Sequence, residues 1–415
     1  MKFMALSSSL STAPPQADPV AVLTDWRAVA AVFLGGLVAA QQVGKTAIAL
    51  PALSADLGLD LRSGGWVMAV FGVLGVFASL PAGALVARLG DRSLQVAGLA
   101  AMAIGSALGS QVQSLQALLT TRVLEGAGFL LFAVAGASVL QRLSRPSDRN
   151  LVFAIWSCYM PAGMALALAT GAALDGWRGY WQLNALLCAV AAAVLWFGVR
   201  VAPTRSITAP SWRQTARDAM AVAGARGPLL LALIFALYAL QFYALLSFLP
   251  TLLMQRMQVS AQHAGLLSAI AVGSNVLGNL ASGPLLRRGV ARWRLIAIAS
   301  AVMGASAVGA FALDLPTAWV FGLCVLFSMA GGLLPATTIG GASQLVPSPG
   351  LIAVAMGLLM QGSYLGQVIG PSLFGSVVQS AGWPAASIPV ALAALGAIAL
   401  AFALRRSFAH EGARE

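Results

Sequence analysis

Charged side chains are scarce in this sequence. Only 9% of its 415 residues are Asp, Glu, Lys or Arg, while 59% are hydrophobic. A soluble globular domain carries about 25% charged residues, so that class is excluded. Acids are scarcer than bases, 12 against 24. There are two histidines and three cysteines. Cys158, Cys188 and Cys324 all fall in apolar segments without C-x-x-C spacing. That excludes a disulfide framework and a thiolate metal site and leaves three packing residues. No metal cluster and no nucleophile–base pair appears, so nothing points to an enzyme or a bound cofactor. Residues 1–25 are rich in Ser, Ala and Pro and have no apolar stretch long enough for a signal peptide. They read as a disordered cytoplasmic tail.

Long hydrophobic runs are what the sequence has in abundance. At about 20 residues per span the chain holds about twelve of them. They are expected near 28–52, 63–86, 94–112, 115–140, 151–174, 180–199, 229–252, 262–286, 293–313, 317–343, 351–378 and 383–404. Of the 24 Lys and Arg, only Arg62, Arg178 and Arg256 fall on the outer side of this arrangement, and Lys45 and Arg122 lie within spans. The other nineteen are cytoplasmic if both termini are. This asymmetry fixes the orientation by the positive-inside rule. It also assigns the net charge of +12 to topology rather than to a nucleic-acid partner. His263 falls at the outer end of span eight.

The expected organisation is an all-α integral membrane protein with twelve transmembrane helices in two pseudo-symmetric six-helix bundles, 26–200 and 229–404. A linker at 201–228 joins them, and 405–415 forms a second cytoplasmic tail. The linker carries Pro203 and Pro210, then an amphipathic stretch from Ser211 to Val222 whose Arg213 and Arg217 suit anionic headgroups. A weak repeat supports the division. Leu50-Pro51-Ala-Leu53 ends span one and Leu249-Pro250-Thr-Leu252 ends span seven. Each is followed by a serine, Ser63 or Ser260, expected to open the next helix. Span ten carries Gly331, Gly332 and Pro335, which should break it near its middle.

Between spans two and three lies Gly83-Ala-Leu-Val-Ala-Arg-Leu-Gly-Asp-Arg92, a basic elbow that must sit at a membrane surface. It resembles the signature of the major facilitator superfamily, roughly G-x-L-x-D-R-x-G-R/K-R/K. Gly83, Leu85, Arg88, Gly90 and Arg92 match, Ala87 replaces the acid, and Asp91 stands one helical turn later. The resemblance implies a cytoplasmic gate motif at Gly83, Arg88, Gly90, Asp91 and Arg92. Arg122-Val-Leu-Glu-Gly-Ala-Gly128 is similar to the superfamily's R-x-x-Q/E-G-x-G on its fourth helix, which implies proton transfer or substrate contact there. Trp156-Ser-Cys-Tyr-Met-Pro-Ala-Gly-Met164 resembles the W-x-x-x-M-P-x-G-M pattern of the cyanate and nitroimidazole permease-like branch. A kink at Pro161 explains the same residues without a branch assignment.

Lys45, Arg122 and Glu125 are the residues within spans that are charged at neutral pH. Intramembrane charges are expensive and functional by default. At 1.5 Å per residue, Lys45 and Arg122 lie ~10 Å below the outer surface, and Gln41 and Glu125 at ~15 Å, near the midplane. Gln41 and Lys45 share a face at i, i+4, and Arg122 and Glu125 at i, i+3. The alternatives are a snorkelling Lys45 and a purely structural Arg122–Glu125 pair. Glu125, the one carboxylate in the bilayer, is the candidate proton carrier. The second half offers Gln241, Tyr243, Asn275, Asn279, Gln361 and Tyr364, each alternatively an interhelical hydrogen-bonding group. With Gln41, Lys45, Arg122 and Tyr159 these make up the expected substrate-binding set. Gly44-Lys45-Thr46 resembles the end of a P-loop, but Ala39 stands where that motif needs glycine. Transport must therefore draw on a gradient.

The reading is a monomeric, plasma-membrane secondary transporter, expected in a bacterial inner membrane. It would work by alternating access, coupled to protons. Two positive charges and one negative favour a small anion or a neutral polar organic solute. Multidrug efflux by proton antiport is the alternative, and a non-transporting receptor a second one.

Overall fold

The computed structural model describes residues 23–411 except 172, 175, 200–211, 343, 347, 349 and 350. The tail at 1–22, the first part of the linker and residues 412–415 lie outside the described set, as do the side chains of 80–89, and with them Arg88. The described chain is helical throughout: α1 (Trp26–Leu57), α2 (Leu61–Leu89), α3 (Asp91–Gly109), α4 (Leu115–Leu143), α5 (Arg149–Ser157), α6 (Tyr159–Gly171), α7 (Trp177–Gly198), α8 (Trp212–Gly224), α9 (Arg226–Met257), α10 (Ala261–Arg287), α11 (Arg292–Ala312), α12 (Thr317–Gly331), α13 (Leu333–Ala342), α14 (Ile352–Ala385) and α15 (Ser387–Glu411). Ten of the segments they form are long and apolar enough to cross a membrane. The shorter, more polar α3 and the kinked α14 fall on the other two expected spans. Large apolar side chains such as Leu34, Phe77, Leu186, Phe197, Trp319 and Leu392 stand exposed around the outside. Lipid, not water, is the solvent such a surface requires.

Two expected breaks occur where the residues demand them. Span five divides at Cys158, three residues before Pro161, which cannot donate to the helix ladder. Span ten divides at Gly332, between α12 and α13. The repeat is also visible. α1 and α9 are each 32 residues long, and each carries its proline near the end and stops on a left-handed residue, Gly58 (φ 64°) or Gln258 (φ 53°). Ser260 caps α10 by accepting from His263 N–H at 3.4 Å. In the first half the capping residue is Asp60, which accepts from Ser63 N–H at 2.7 Å. Ser63 therefore does not open α2, because the side chain able to accept lies three residues earlier.

Helices α1–α7 pack on one another, as do α9–α15, and the two sets meet along α2–α14, α6–α10 and α1–α9. Glycine makes the closest approaches. Gly362, Gly366 and Gly370 of α14 lie against the backbone of α9 at Ala232, Ala236 and Leu240. On its other side, α14 meets Gly65, Gly72 and Gly75 of α2. In lipid no hydrophobic force separates helix from solvent, so this close packing is what holds helices together. At the end away from the chain termini, Gln379 of α14 accepts from Leu61 N–H at 3.3 Å. A crevice of about 350 Å³ opens beside it, lined by Pro51, Asp60, Thr251 and Gln255 among others. The amphipathic α8 leaves Arg213 and Arg217 exposed and packs on α9 and α14.

Candidate functional site

Three helices bring the intramembrane charges together. Lys45 on α1 donates to Glu125 Oε1 on α4 at 2.6 Å and to Ser106 Oγ on α3 at 2.7 Å. Arg122, one turn before Glu125, pairs with its other oxygen. It also donates to the Gln42 carbonyl at 2.9 Å. The Ser106 hydroxyl has Glu125 Oε1 at 2.7 Å and Gln42 Oε1 at 3.0 Å within reach of its single proton. Gln42 Nε2 in turn donates to Cys188 Sγ at 3.1 Å. Lys45, Arg122 and Glu125 each have 0% of their surface exposed. Aromatic rings close the cluster, Trp181 4.5 Å from the ammonium and Phe71 4.6 Å from the guanidinium.

This is a sealed triad inside the first helical set, with one carboxylate between two cations and a net charge of +1. Such a cluster persists only when nearly every donor is matched, because desolvation of each ion costs several kcal/mol. One donor is unmatched: Arg122 Nη2 is buried without a partner. Gly105 lets α3 approach Glu125, and Gly126 lets α4 lie on the Phe71 carbonyl of α2. The sequence contains the ions but gives no sign of Ser106 or Gln42. Gln42 stands at i, i+3 to Lys45, a spacing as admissible as the i, i+4 of Gln41. Gln41 instead lines a crevice of about 270 Å³ between α1, α6 and α7 with Leu34, Leu166 and Leu183.

The remaining polar residues divide into two groups. Asn275 donates to Ser328 O at 2.9 Å, Asn279 to Asn275 Oδ1 at 3.0 Å, and Gln241 to Leu237 O of its own helix at 3.1 Å. These are interhelical and intrahelical bonds within the second set. The tyrosines behave differently. Tyr243 of α9 lies within electrostatic reach of Tyr238 on the same helix, of Tyr159 on α6 and of Tyr364 on α14, whose ring meets Gly75 of α2. Gln361, one turn before Tyr364, donates across the boundary between the two sets to Val76 O at 2.8 Å. Tyr238 was not legible as a site residue; it continues the Phe235, Tyr238, Phe242 stripe of α9, which reads as core.

The described part of the gate motif, Gly90, Asp91 and Arg92, ties helices within the first set. Asp91, in the first turn of α3, accepts from Arg142 in the last turn of α4 at 3.0 and 2.8 Å and from Ser138 at 3.2 Å. Each charge faces the helix end of opposite polarity. Gly90 precedes it at φ 81°, a conformation that favours glycine. Arg92 bonds the Trp196 carbonyl of α7 and lies 5.1 Å from that ring. Among the described residues, no group of His, Cys, Asp and Glu could hold a metal ion.

A lipid-facing helical bundle with an ionic cluster at its heart is the architecture of a multi-pass membrane transporter. The family description Major Facilitator Superfamily matches residues 32–360, and the chain belongs to that superfamily, whose members are transporters rather than enzymes. Among curated relatives, the 3-(3-hydroxy-phenyl)propionate transporter of Escherichia coli K12 is 25% identical over 378 residues, 87% of this chain and 90% of that one. The 4-hydroxybenzoate transporter PcaK of Pseudomonas aeruginosa is 28% identical over 292 residues, 60% of this chain and 65% of that one. The multidrug transporter mfsC of Aspergillus fumigatus is 29% identical over 150 residues, 35% of this chain. The match spans 29% of mfsC, and between 25% and 35% of the other resistance and multidrug relatives. Among solved structures, a bacterial homologue of the human lysosomal transporter Spinster has a TM-score of 0.73 at 18% identity, covering 92% of this chain and 97% of its own. A variant of the nucleoside transporter NupG also has a TM-score of 0.73, at 17% identity, covering 92% and 100%. These structures share the fold.

Proposed function

We propose that this secondary transporter moves a small organic anion or neutral polar organic solute across a bacterial inner membrane. It would do so by alternating access between bundles 26–200 and 229–404, with both termini cytoplasmic and with a proton as the coupling ion. The observation that carries the reading is the sealed Lys45–Glu125–Arg122 triad. Protonating Glu125 leaves two buried cations and one neutral acid, an arrangement too costly to persist alone. A proton therefore binds readily only when a negative charge arrives nearby or the helices around the triad move apart. Either event links proton occupancy to conformation, and binding linkage is reciprocal. The names of two relatives, which specify small aromatic acids, agree with an organic anion. The 156–164 motif supports the cyanate and nitroimidazole permease-like branch.

The test is uptake into proteoliposomes under an imposed pH gradient, with empty liposomes as blank and labelled 4-hydroxybenzoate as probe. The wild-type chain should accumulate it in proportion to the gradient, and Glu125→Gln should lose that dependence. Gradient-driven uptake unchanged in Glu125→Gln would remove the coupling role. The second reading, drug/proton antiport, is favoured by the matches to multidrug transporters over about a third of the chain. Proton-driven extrusion of ethidium without 4-hydroxybenzoate uptake would select it.

A further inference from the structure

The crevice beside Gln41 is walled by Leu34 and Val38 of α1, Leu166 of α6, and Leu183 and Leu187 of α7. All three helices belong to the first set, so the crevice lies on the flank of that set and apart from the boundary where the two sets meet. Leu34 and Leu166 are 58% and 43% exposed, so its mouth opens to hydrocarbon. Its volume of about 270 Å³ exceeds the roughly 150 Å³ that is enough to admit benzene.

Aliphatic walls alone would not choose an occupant, but the polar group among them does. Gln41 is only 4% exposed, and its side-chain amide has no hydrogen-bond partner among the described residues. The amide is not one of the polar atoms sealed away without a partner, so it opens on the crevice. The adjacent Gln42 shows the contrast, with its amide engaged by Cys188 and Ser106. Thr170, the other polar residue of the crevice, has already given its proton to the Leu166 carbonyl at 2.8 Å. Gln41 stands midway along α1, about 15 Å from either edge of the hydrocarbon. Water is absent at that depth, and an amide left there without a partner is costly.

The depth of Gln41 restricts what can satisfy it. A phospholipid keeps its polar groups at the interface and could offer Gln41 only methylenes. An ion would shed its water in a crevice that carries no opposite charge. An uncharged molecule that dissolves in the bilayer, with one hydroxyl on a compact apolar body, meets both demands. A rigid ring loses less freedom on entering than a flexible alcohol does. We propose that this crevice is a binding site for an uncharged, bilayer-dissolved phenol, its ring against Leu166 and Leu187 and its hydroxyl on the Gln41 amide. The site does not depend on the transport reading. Its occupant sits one residue from Gln42, whose carbonyl accepts from Arg122, and so holds the helix that carries Lys45.

The test is photolabelling of the full-length protein in lipid nanodiscs, because detergent would itself fill a lipid-facing crevice. The probes are a trifluoromethyl-diazirine phenol and the same compound without its hydroxyl, with 4-tert-butylphenol as competitor. Labelled positions are read by peptide mass spectrometry. The phenol should label α6 and α7 beside the crevice saturably, at about fivefold lower concentration than its analogue, as one hydrogen bond implies. Gln41→Leu, nearly equal in volume, should erase that preference and leave the analogue's labelling unchanged. Leu166→Trp, at a half-exposed position, should block both probes. Equal labelling by the two probes in the wild-type chain would overturn the proposal, and that comparison needs no variant to fold. So would a preference that survives Gln41→Leu, or labelling that never saturates, as acyl tails filling the crevice would give.

Discussion

At the scale of single residues, Glu125 is the hinge of the electrostatics. It faces Lys45 and Arg122 at once, with no water-exposed surface on any of the three. Removing its charge leaves two uncompensated cations, so Glu125→Gln should lower the unfolding free energy by about 3–5 kcal/mol. Lys45→Met in the same chain removes one of those cations and restores the net charge of +1. The double variant should therefore be more stable than Glu125→Gln, measured by denaturant unfolding in detergent as a double-mutant cycle. Additive losses would mean that the two side chains do not share a charge balance. The same triad is legible only in part from sequence. Its three ions stand out because charges are rare in apolar spans. Ser106 and Gln42 are ordinary polar residues there, and only the approach of α3 to α1 gives them a role.

At the scale of elements, α14 is the helix on which most of the packing converges. Its Gly362, Gly366 and Gly370 let α9 approach to backbone contact, while Gln361 and Tyr364 point to α2. Gly366→Leu would put side-chain atoms where the Ala236 carbonyl stands. It should destabilise the protein by more than about 4 kcal/mol, as severe overpacking does. The readout is loss of the monodisperse peak on size-exclusion chromatography. Gly322→Leu on α12, where an added Cβ meets nothing within 4 Å, is the control and should leave the peak intact. The breaks in spans five and ten show the converse, since Pro161 and the Gly331–Gly332 pair announce themselves in sequence. The opening of α2 does not, because Asp60 and Ser63 are both competent caps and only the start of the helix chooses between them.

At the scale of the whole molecule, the two helical sets touch at the end remote from the termini, where Gln379 meets Leu61. If the solute site is reached from alternate sides, this contact must open in each cycle. Leu61→Cys with Gln379→Cys, joined by a short reducible cross-linker, should arrest proteoliposome uptake of 4-hydroxybenzoate, and reductant should restore it. The three native cysteines are buried and leave the reagent to the introduced pair. Uptake at the full rate while cross-linked would rule out movement at that contact.

The amino-acid sequence alone determined that this is a membrane protein of about twelve helical passes, because hydrocarbon admits only long apolar helices with satisfied backbones. It also determined which residues would be ions in lipid and where glycine and proline would bend or narrow a helix. Tertiary structure alone decided that Gln42 rather than Gln41 joins Lys45, since i+3 and i+4 share one face of an isolated helix. It alone decided that Asn275, Asn279 and Gln241 bond within the second set, and that Tyr243 comes within reach of Tyr238 on its own helix and of one tyrosine from each of two others. The reason is one of range. Periodicity records which side of a helix is apolar, whereas the choice of neighbour depends on how closely distant helices can pack.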